Sequence, residues 1–165
     1  MDAKGEVRVG GLLESLTRHG FRVLHSVPVG QGDSDIDHVV VGPPGVFTVN
    51  TKKHPDAKVW VGGNCVKING RNHPYVRNSR FEARRAGRLL GAALGWTPPV
   101  TALLVFDTTG AGGLTIKAQP DAVAVMGHRV VQAWLRRQPA VLDEGRVEAV
   151  FDVARRSTTW TAAAG

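Results

Sequence analysis

The segment from Asp35 to Lys53 contains two short apolar runs separated by Gly-Pro-Pro-Gly, and this break most strongly constrains the fold. Proline fixes φ and glycine tolerates positive φ, so residues 42–45 predict a tight turn between two strands. A connection of two or four residues gives one register, with Val41 opposite Val46. A connection of three or five residues would shift every later pair and move side chains to the other face.

That register brings three polar side chains together at the open end of the hairpin. Asp37 falls opposite Asn50, and opposed residues of an antiparallel pair share a face with Cβ atoms about 4.5–5.5 Å apart. Lys52 follows Asn50 by two positions and therefore lies on the same face. Carboxylate and amide oxygens suit Mg²⁺ or Mn²⁺, and a nearby ammonium group can orient a water or offset phosphate charge. We therefore predict Asp37, Asn50 and Lys52 as catalytic residues, with Asp37 and Asn50 as metal ligands.

The pattern resembles that of the PD-(D/E)XK nucleases, although alone it is more often a half-buried hairpin with a polar rim. The longer stretch I-D-H-V-V-V-G-P-P-G-V-F-T-V-N-T-K-K-H resembles the nuclease-related domain (NERD) family, whose core reads roughly D-H-x-x-x-G-x-x-G-x-F-x-x-E-x-K. The resemblance implies a restriction-endonuclease-like fold and metal-dependent phosphodiester cleavage. Asn50 stands where the family has glutamate, and His73 and Arg77 replace the Asn and Gln of a family N-P-x-x-Q segment. These departures imply weakened metal binding, or none.

A first helix is predicted from Gly5 to Arg18, because apolar residues recur there at helical spacing. Glu6 continues the apolar stripe at the start of this helix. An acid in a first turn compensates the helix dipole, or it points at the hairpin as a further metal ligand. Family members begin with a Gly-Glu pair that Gly5-Glu6 resembles, and the resemblance favours the metal ligand.

Positive charge is concentrated in the middle of the chain. The chain has a net charge of +7. Residues 57–106 carry eight Lys or Arg and a single acid, Glu82, whereas positive and negative charges nearly cancel in the parts before and after this block. A localised basic block is either a polyanion site or a solvated face. Within it, four arginines follow helical spacing in a helix predicted over residues 76–94. The predicted nucleic-acid-binding residues are Lys53, Lys58, Arg77, Arg80, Arg84 and Arg88.

The order of elements predicts one α/β domain. A helix, three or four strands, a long helix and a strand match the αβββαβ core of restriction-endonuclease-like folds over residues 5–106, with a mixed central sheet flanked by helices. C-terminal helices complete a domain over residues 1–156, with residues 107–156 as an extension. Residues 157–165 are predicted to be a flexible tail.

Composition bounds the cellular context. No apolar run reaches the length of a membrane span and the N-terminus lacks a signal-peptide pattern, so no membrane partner is expected. The single Cys65 excludes an internal disulfide and a multi-cysteine zinc site, and it fits a cytoplasmic location. The histidines lack metal-ligand spacing. A homodimer is compatible with the sequence.

Three functions remain open at this point. The leading hypothesis is a Mg²⁺- or Mn²⁺-dependent nuclease of the PD-(D/E)XK type, acting on DNA in preference to RNA and weakened by Asn50. The alternative is a catalytically inactive nucleic-acid-binding module of the same fold. A partner-binding domain with no nucleic-acid role is the third. Basic charge does not separate the first two, because both need it.

Overall fold

The computed structural model describes residues 3–31 and 34–161, with side chains from Gly5 onward. The first half contains helix α1 (Ala3–Glu14), a 3₁₀ turn (Ser15–His19), β1 (Arg22–Val29), β2 (Ser34–Gly42), β3 (Gly45–Lys53), β4 (Val59–Gly62), β5 (Cys65–Ile68) and β6 (Arg71–His73). The second half contains α2 (Tyr75–Leu94), β7 (Val100–Asp107), β8 (Leu114–Ala118), β9 (Val123–Gly127), α3 (Val131–Arg137), α4 (Glu144–Ala154) and α5 (Ser157–Thr161).

The central sheet has five strands in the order β1-β2-β3-β7-β9. β2 and β3 form the predicted hairpin, and Val41 pairs with Val46, which confirms the predicted register. β7 and β9 run parallel to β3. A parallel connection needs a long crossover, and the segment from β4 to α2 supplies it between β3 and β7. The sheet is therefore mixed, as the sequence predicted.

Helices cover both faces of this sheet. On one face, Val40 and Phe47 pack with Val9 and Leu13 of α1 and with residues of α3. On the other, called here the α2 face, Val39 and Val41 pack in a cluster with residues of α2, α4 and α5. Side chains of a strand alternate between faces, and β2 is buried on both. This explains its continuous apolar run.

A second sheet of four strands, ordered β6-β5-β4-β8, packs against the first half of α2 and one face of β7 and β9. β4 and β5 form an antiparallel hairpin, and β6 pairs antiparallel with β5. A tight backbone approach attaches this sheet to the loop after β7. A Cβ added at Gly112 would lie 1.6 Å from the carbonyl oxygen of Ala57, so only glycine fits there.

Two expectations are corrected at the ends of elements. The predicted first helix changes to a 3₁₀ turn at Ser15 instead of continuing to Arg18. The prediction of a flexible tail is wrong for residues 157–161, which form α5. Trp160 there is 1% exposed, and its Nε1–H donates to the carbonyl of Ala154 at 2.7 Å. One large apolar side chain thus anchors the segment. Residues 162–165 lie outside the described part of the chain.

The helices that the structure describes include none long and apolar enough to cross a bilayer.

Candidate active site

Asp37 is the buried centre of the candidate site. It is 2% exposed, and the backbone N–H of Thr51 donates to its Oδ2 at 2.8 Å. Since His38 pairs with Val49, continuing the register places Asp37 beside Asn50. The strand pairing therefore holds the carboxylate against β3, the strand that carries the other predicted site residues.

The surroundings of Asp37 raise its pKa to about 6. Burial is the largest cause, because it penalises the charged form. The hydrogen bond from Thr51 lowers the pKa, the nearby charge of Glu6 raises it, and the charge of Lys52 lowers it. Asp37 thus lies within electrostatic reach of both an acid and a base that the sequence placed in the site.

Glu82 of α2 is a site residue that the sequence interpretation missed. Burial, followed by the charge of Asp37, raises its pKa to about 7, while Arg85 and Lys52 lower it. Its Oε1 atom is buried and has no hydrogen-bond partner among the described residues. An unpaired buried carboxylate oxygen is costly, and this position beside Asp37 and Lys52 marks Glu82 as part of one cluster.

The helical repeat explains why Glu82 faces inward. Ser79, Ala83 and Ala86 are buried residues of α2, and residues three or four positions apart lie on one side of a helix. Glu82 lies between Ser79 and Ala86 on that stripe. The signal was therefore available in the sequence: the single acid of the basic block occupies a core-facing position.

Lys52 completes this arrangement from β3. Its charge lowers the pKa of both Asp37 and Glu82, and its Nζ lies 4.6 Å from the centroid of the Tyr75 ring. We call Glu6, Asp37, Lys52 and Glu82 the acid–lysine cluster. Asn50 is half-buried at the edge of this cluster.

Glu6 reaches the cluster from the first turn of α1. Both its charge and its side-chain hydrogen bonding with Asp37 raise the pKa of the Asp37 carboxyl group. The preceding Gly5 is buried, and a Cβ at that position would lie 3.3 Å from the Lys53 Cβ and 3.5 Å from the Thr51 Cγ2. The Gly-Glu pair therefore has a physical reason, because the missing side chain lets the start of α1 approach β3.

The donor set suits a hard divalent cation only with help from solvent. Within residues 3–31 and 34–161, no group of three or more His, Cys, Asp and Glu side chains is placed to hold a metal ion. Mg²⁺, however, is commonly held through one or two carboxylates while it keeps several waters. The orphaned Oε1 of Glu82 and the repulsion between Asp37 and Glu82 are features that a bound cation would relieve. The residues therefore fit such an ion.

The predicted arginine surface is only partly free. Arg77, Arg84 and Arg88 are exposed. Arg80, in contrast, donates to the carbonyl of Asp121 at 2.7 Å and to Asn64 Oδ1 at 3.0 Å. Its guanidinium therefore links α2 to the second sheet.

The exposed arginines also lie away from the acids. Positions two apart on an α-helix point about 200° apart, so Arg84 projects almost opposite to Glu82. Lys53 follows Lys52 directly on β3, so its side chain lies on the opposite face of the strand. Lys58 is exposed and lies just before the start of β4. The structure therefore does not gather the predicted nucleic-acid-binding residues around the acid–lysine cluster.

Comparison with known proteins identifies the family. A sequence model of the nuclease-related domain (NERD) matches residues 2–107, a span that runs from α1 through β7 and includes every residue of the acid–lysine cluster. No curated protein and no solved structure gives a significant match. Since the match covers more than half of the sequence, the chain belongs to the nuclease-related domain family.

Proposed function

We propose that this domain is a Mg²⁺- or Mn²⁺-dependent nuclease that hydrolyses phosphodiester bonds, with DNA as its preferred substrate over RNA. The observation that carries the proposal is that Asp37 of β2, Lys52 of β3 and Glu82 of α2 act on one another's charge in one site. Two acids and an ammonium group in a half-buried site combine the functions that water activation at a phosphate requires. Membership of the nuclease-related domain family supports the same reaction.

Asp37, Asn50 and Glu6 would hold the metal ion, and Glu82 joins them as the acid that the structure adds. When bound, the ion supplies Lewis-acid polarisation of the phosphate and a more acidic water. The amide oxygen of Asn50 carries no charge, so the negative charge normally found on this strand is partly replaced from α2. The Thr51 N–H keeps Asp37 oriented.

Lys52 would orient the attacking water or offset charge developing on the phosphate. Its contact with the Tyr75 ring and its attraction to the Asp37 carboxylate limit where its ammonium can lie. The exposed Arg77, Arg84 and Arg88 would bind backbone phosphates on the outer side of α2, away from the bond that is cut. A substrate using both surfaces must extend past the helix.

A cleavage assay tests the proposal. Single- and double-stranded DNA and RNA are incubated with wild-type protein and Mn²⁺, Mg²⁺ or chelator, beside Asp37→Asn as the matched inactive control. We expect weak cleavage that is favoured by Mn²⁺ and absent with chelator or in the variant. Binding without cleavage in every condition would instead support the inactive nucleic-acid-binding module, which the neutral Asn50 favours. We also propose a cytoplasmic location, based on the single cysteine.

A further inference from the structure

The ring of Tyr75 forms a support beneath the ammonium group of Lys52. Tyr75 is the first residue of α2, and Lys52 Nζ lies 4.6 Å from its ring centroid. An ammonium over an aromatic face is attracted by the negative potential of that face. The contact joins β3, which carries Lys52, to the start of α2, which carries Glu82.

The Tyr75 ring is itself held in place. Its hydroxyl lies 2.7 Å from Nε2 of His54, and its ring centroid is 5.0 Å from that of His73 and 6.3 Å from that of the buried Phe106. Burial lowers the pKa of His54, and the charges of His73 and Lys52 lower it further. His54 is therefore neutral at physiological pH, when its Nε2 can accept the Tyr75 O–H.

We propose that Tyr75, oriented by His54, is a positioning residue that holds the Lys52 ammonium at the acid–lysine cluster. The proposal rests on the proposed nuclease function and adds a residue to it. A lysine side chain has about 2 kcal/mol of rotamer entropy, and contact of its ammonium with the Tyr75 ring restricts that freedom before substrate arrives. The contact between Tyr75 and Lys52 also links the start of α2 to the end of β3.

The contact is tested first without any activity. Tyr75 is the only tyrosine of the chain, so protein labelled with 3-fluorotyrosine gives a single ¹⁹F resonance. Lys52→Met removes the cation over the ring and should shift that resonance clearly. Lys53→Met removes the neighbouring charge on the other face of β3 and should shift it little. Equal responses to the two substitutions would overturn the proposal.

The effect on cleavage is tested with three variants. Tyr75→Phe keeps the ring and loses only the hydroxyl, His54→Gln alters the partner of that hydroxyl, and Tyr75→Leu removes the ring. We expect kcat to fall about tenfold to a hundredfold for Tyr75→Leu, less for the other two, with KM for an oligonucleotide nearly unchanged in all. Circular dichroism checks that each variant is folded.

The outcomes separate this proposal from the proposed function. An unchanged kcat in folded Tyr75→Leu overturns the positioning role. If the wild type cleaves no substrate, the nuclease proposal fails, and the ¹⁹F comparison still decides whether Tyr75 holds Lys52. A selective ¹⁹F response together with a kcat loss that is largest for Tyr75→Leu supports the proposal.

Discussion

Glu82 on α2 and Asp37 on β2 share one half-buried site, and the charge of Asp37 helps to raise the pKa of Glu82 to about 7. Burial also raises the pKa of Asp37, to about 6, so both carboxyl groups lose their protons later than usual as pH rises. The second ionisation then places two negative charges in poorly solvated surroundings. The site is therefore under electrostatic stress near neutral pH, and protons or cations relieve it.

The first prediction concerns stability against pH. The folded-state pKa values of Asp37 and Glu82 lie above the ordinary 3.8 and 4.5. Between about pH 4 and pH 7 the unfolded chain therefore binds fewer protons, and the free energy of unfolding should fall as pH rises through this window. Glu82→Gln should flatten the decline and stabilise the protein at pH 8 by on the order of 2 kcal/mol. Urea unfolding at several pH values measures this. A variant less stable than wild type at pH 8 would contradict the assigned burial.

The second prediction concerns metal removal. If a divalent cation relieves the repulsion, Mn²⁺ or Mg²⁺ should raise the melting temperature more at pH 8, where both acids are charged, than at pH 5.5. A ligand that binds only the folded state stabilises it by mass action, about 2.7 kcal/mol at a hundred times its Kd. Chelator should reverse the gain, and Asp37→Asn should abolish it. NaCl at the same ionic strength controls for a purely ionic-strength effect. Equal shifts at both pH values would argue against a site at these acids.

Much of the site could be predicted because its determinants are local. The Gly-Pro-Pro-Gly turn and strand alternation fix the register that brings Asp37 beside Asn50, and nothing distant can change that pairing without exposing the valines of β2. The long helix was likewise predicted to within one residue at its start, Val76 against Tyr75, because its apolar stripe is regular.

Other features depend on how elements pack, which local pattern does not specify. The place of Glu82 in the site depends on the rotation of α2 over the sheet. Arg80 was predicted to bind nucleic acid, but its guanidinium donates to Asp121 and Asn64. The order of residues 157–161 depends on Trp160, which packs in a core cluster formed by residues of β1, β2, α2 and α4. In each case one polar or aromatic side chain contacts a surface that exists only after the helices and strands have packed together.

The third prediction concerns nucleic-acid binding by the outer side of α2. Replacing Arg77, Arg84 and Arg88 together with alanine should weaken binding and reduce the log–log salt slope by about 0.7–0.9 for each phosphate that is no longer neutralised. Arg136, Arg137 and Arg155 are also exposed, and their triple alanine variant, which removes the same charge, is the matched control. Fluorescence anisotropy over a salt series measures both slopes. An identical loss in the two variants would mean that binding follows net charge and not this surface.

The last prediction separates enzyme from binder through the position of one acid. Asn50→Glu adds a charged oxygen beside Asp37, so it should tighten Mn²⁺ binding on the order of tenfold and raise cleavage. Glu82→Gln removes a charge and should weaken both. The double variant has its acid on the strand at position 50 instead of on the helix at position 82. Its Mn²⁺ affinity and its cleavage rate should therefore return toward those of the wild type.

Titration calorimetry and a nicking assay on the wild type and these three variants measure the effect. Lys52→Ala in the Asn50→Glu background should abolish the gain in cleavage while leaving the gain in metal affinity, because Lys52 acts on water or phosphate and not on the ion. Without metal, Asn50→Glu should lower stability at pH 8, since a further acid joins a cluster in which Asp37 already repels Glu6 and Glu82. Efficient cleavage by the wild type would make Asn50 a sufficient neutral ligand. Metal binding by Asn50→Glu with no cleavage would favour the binding module, because a restored acid alone would then not restore the reaction.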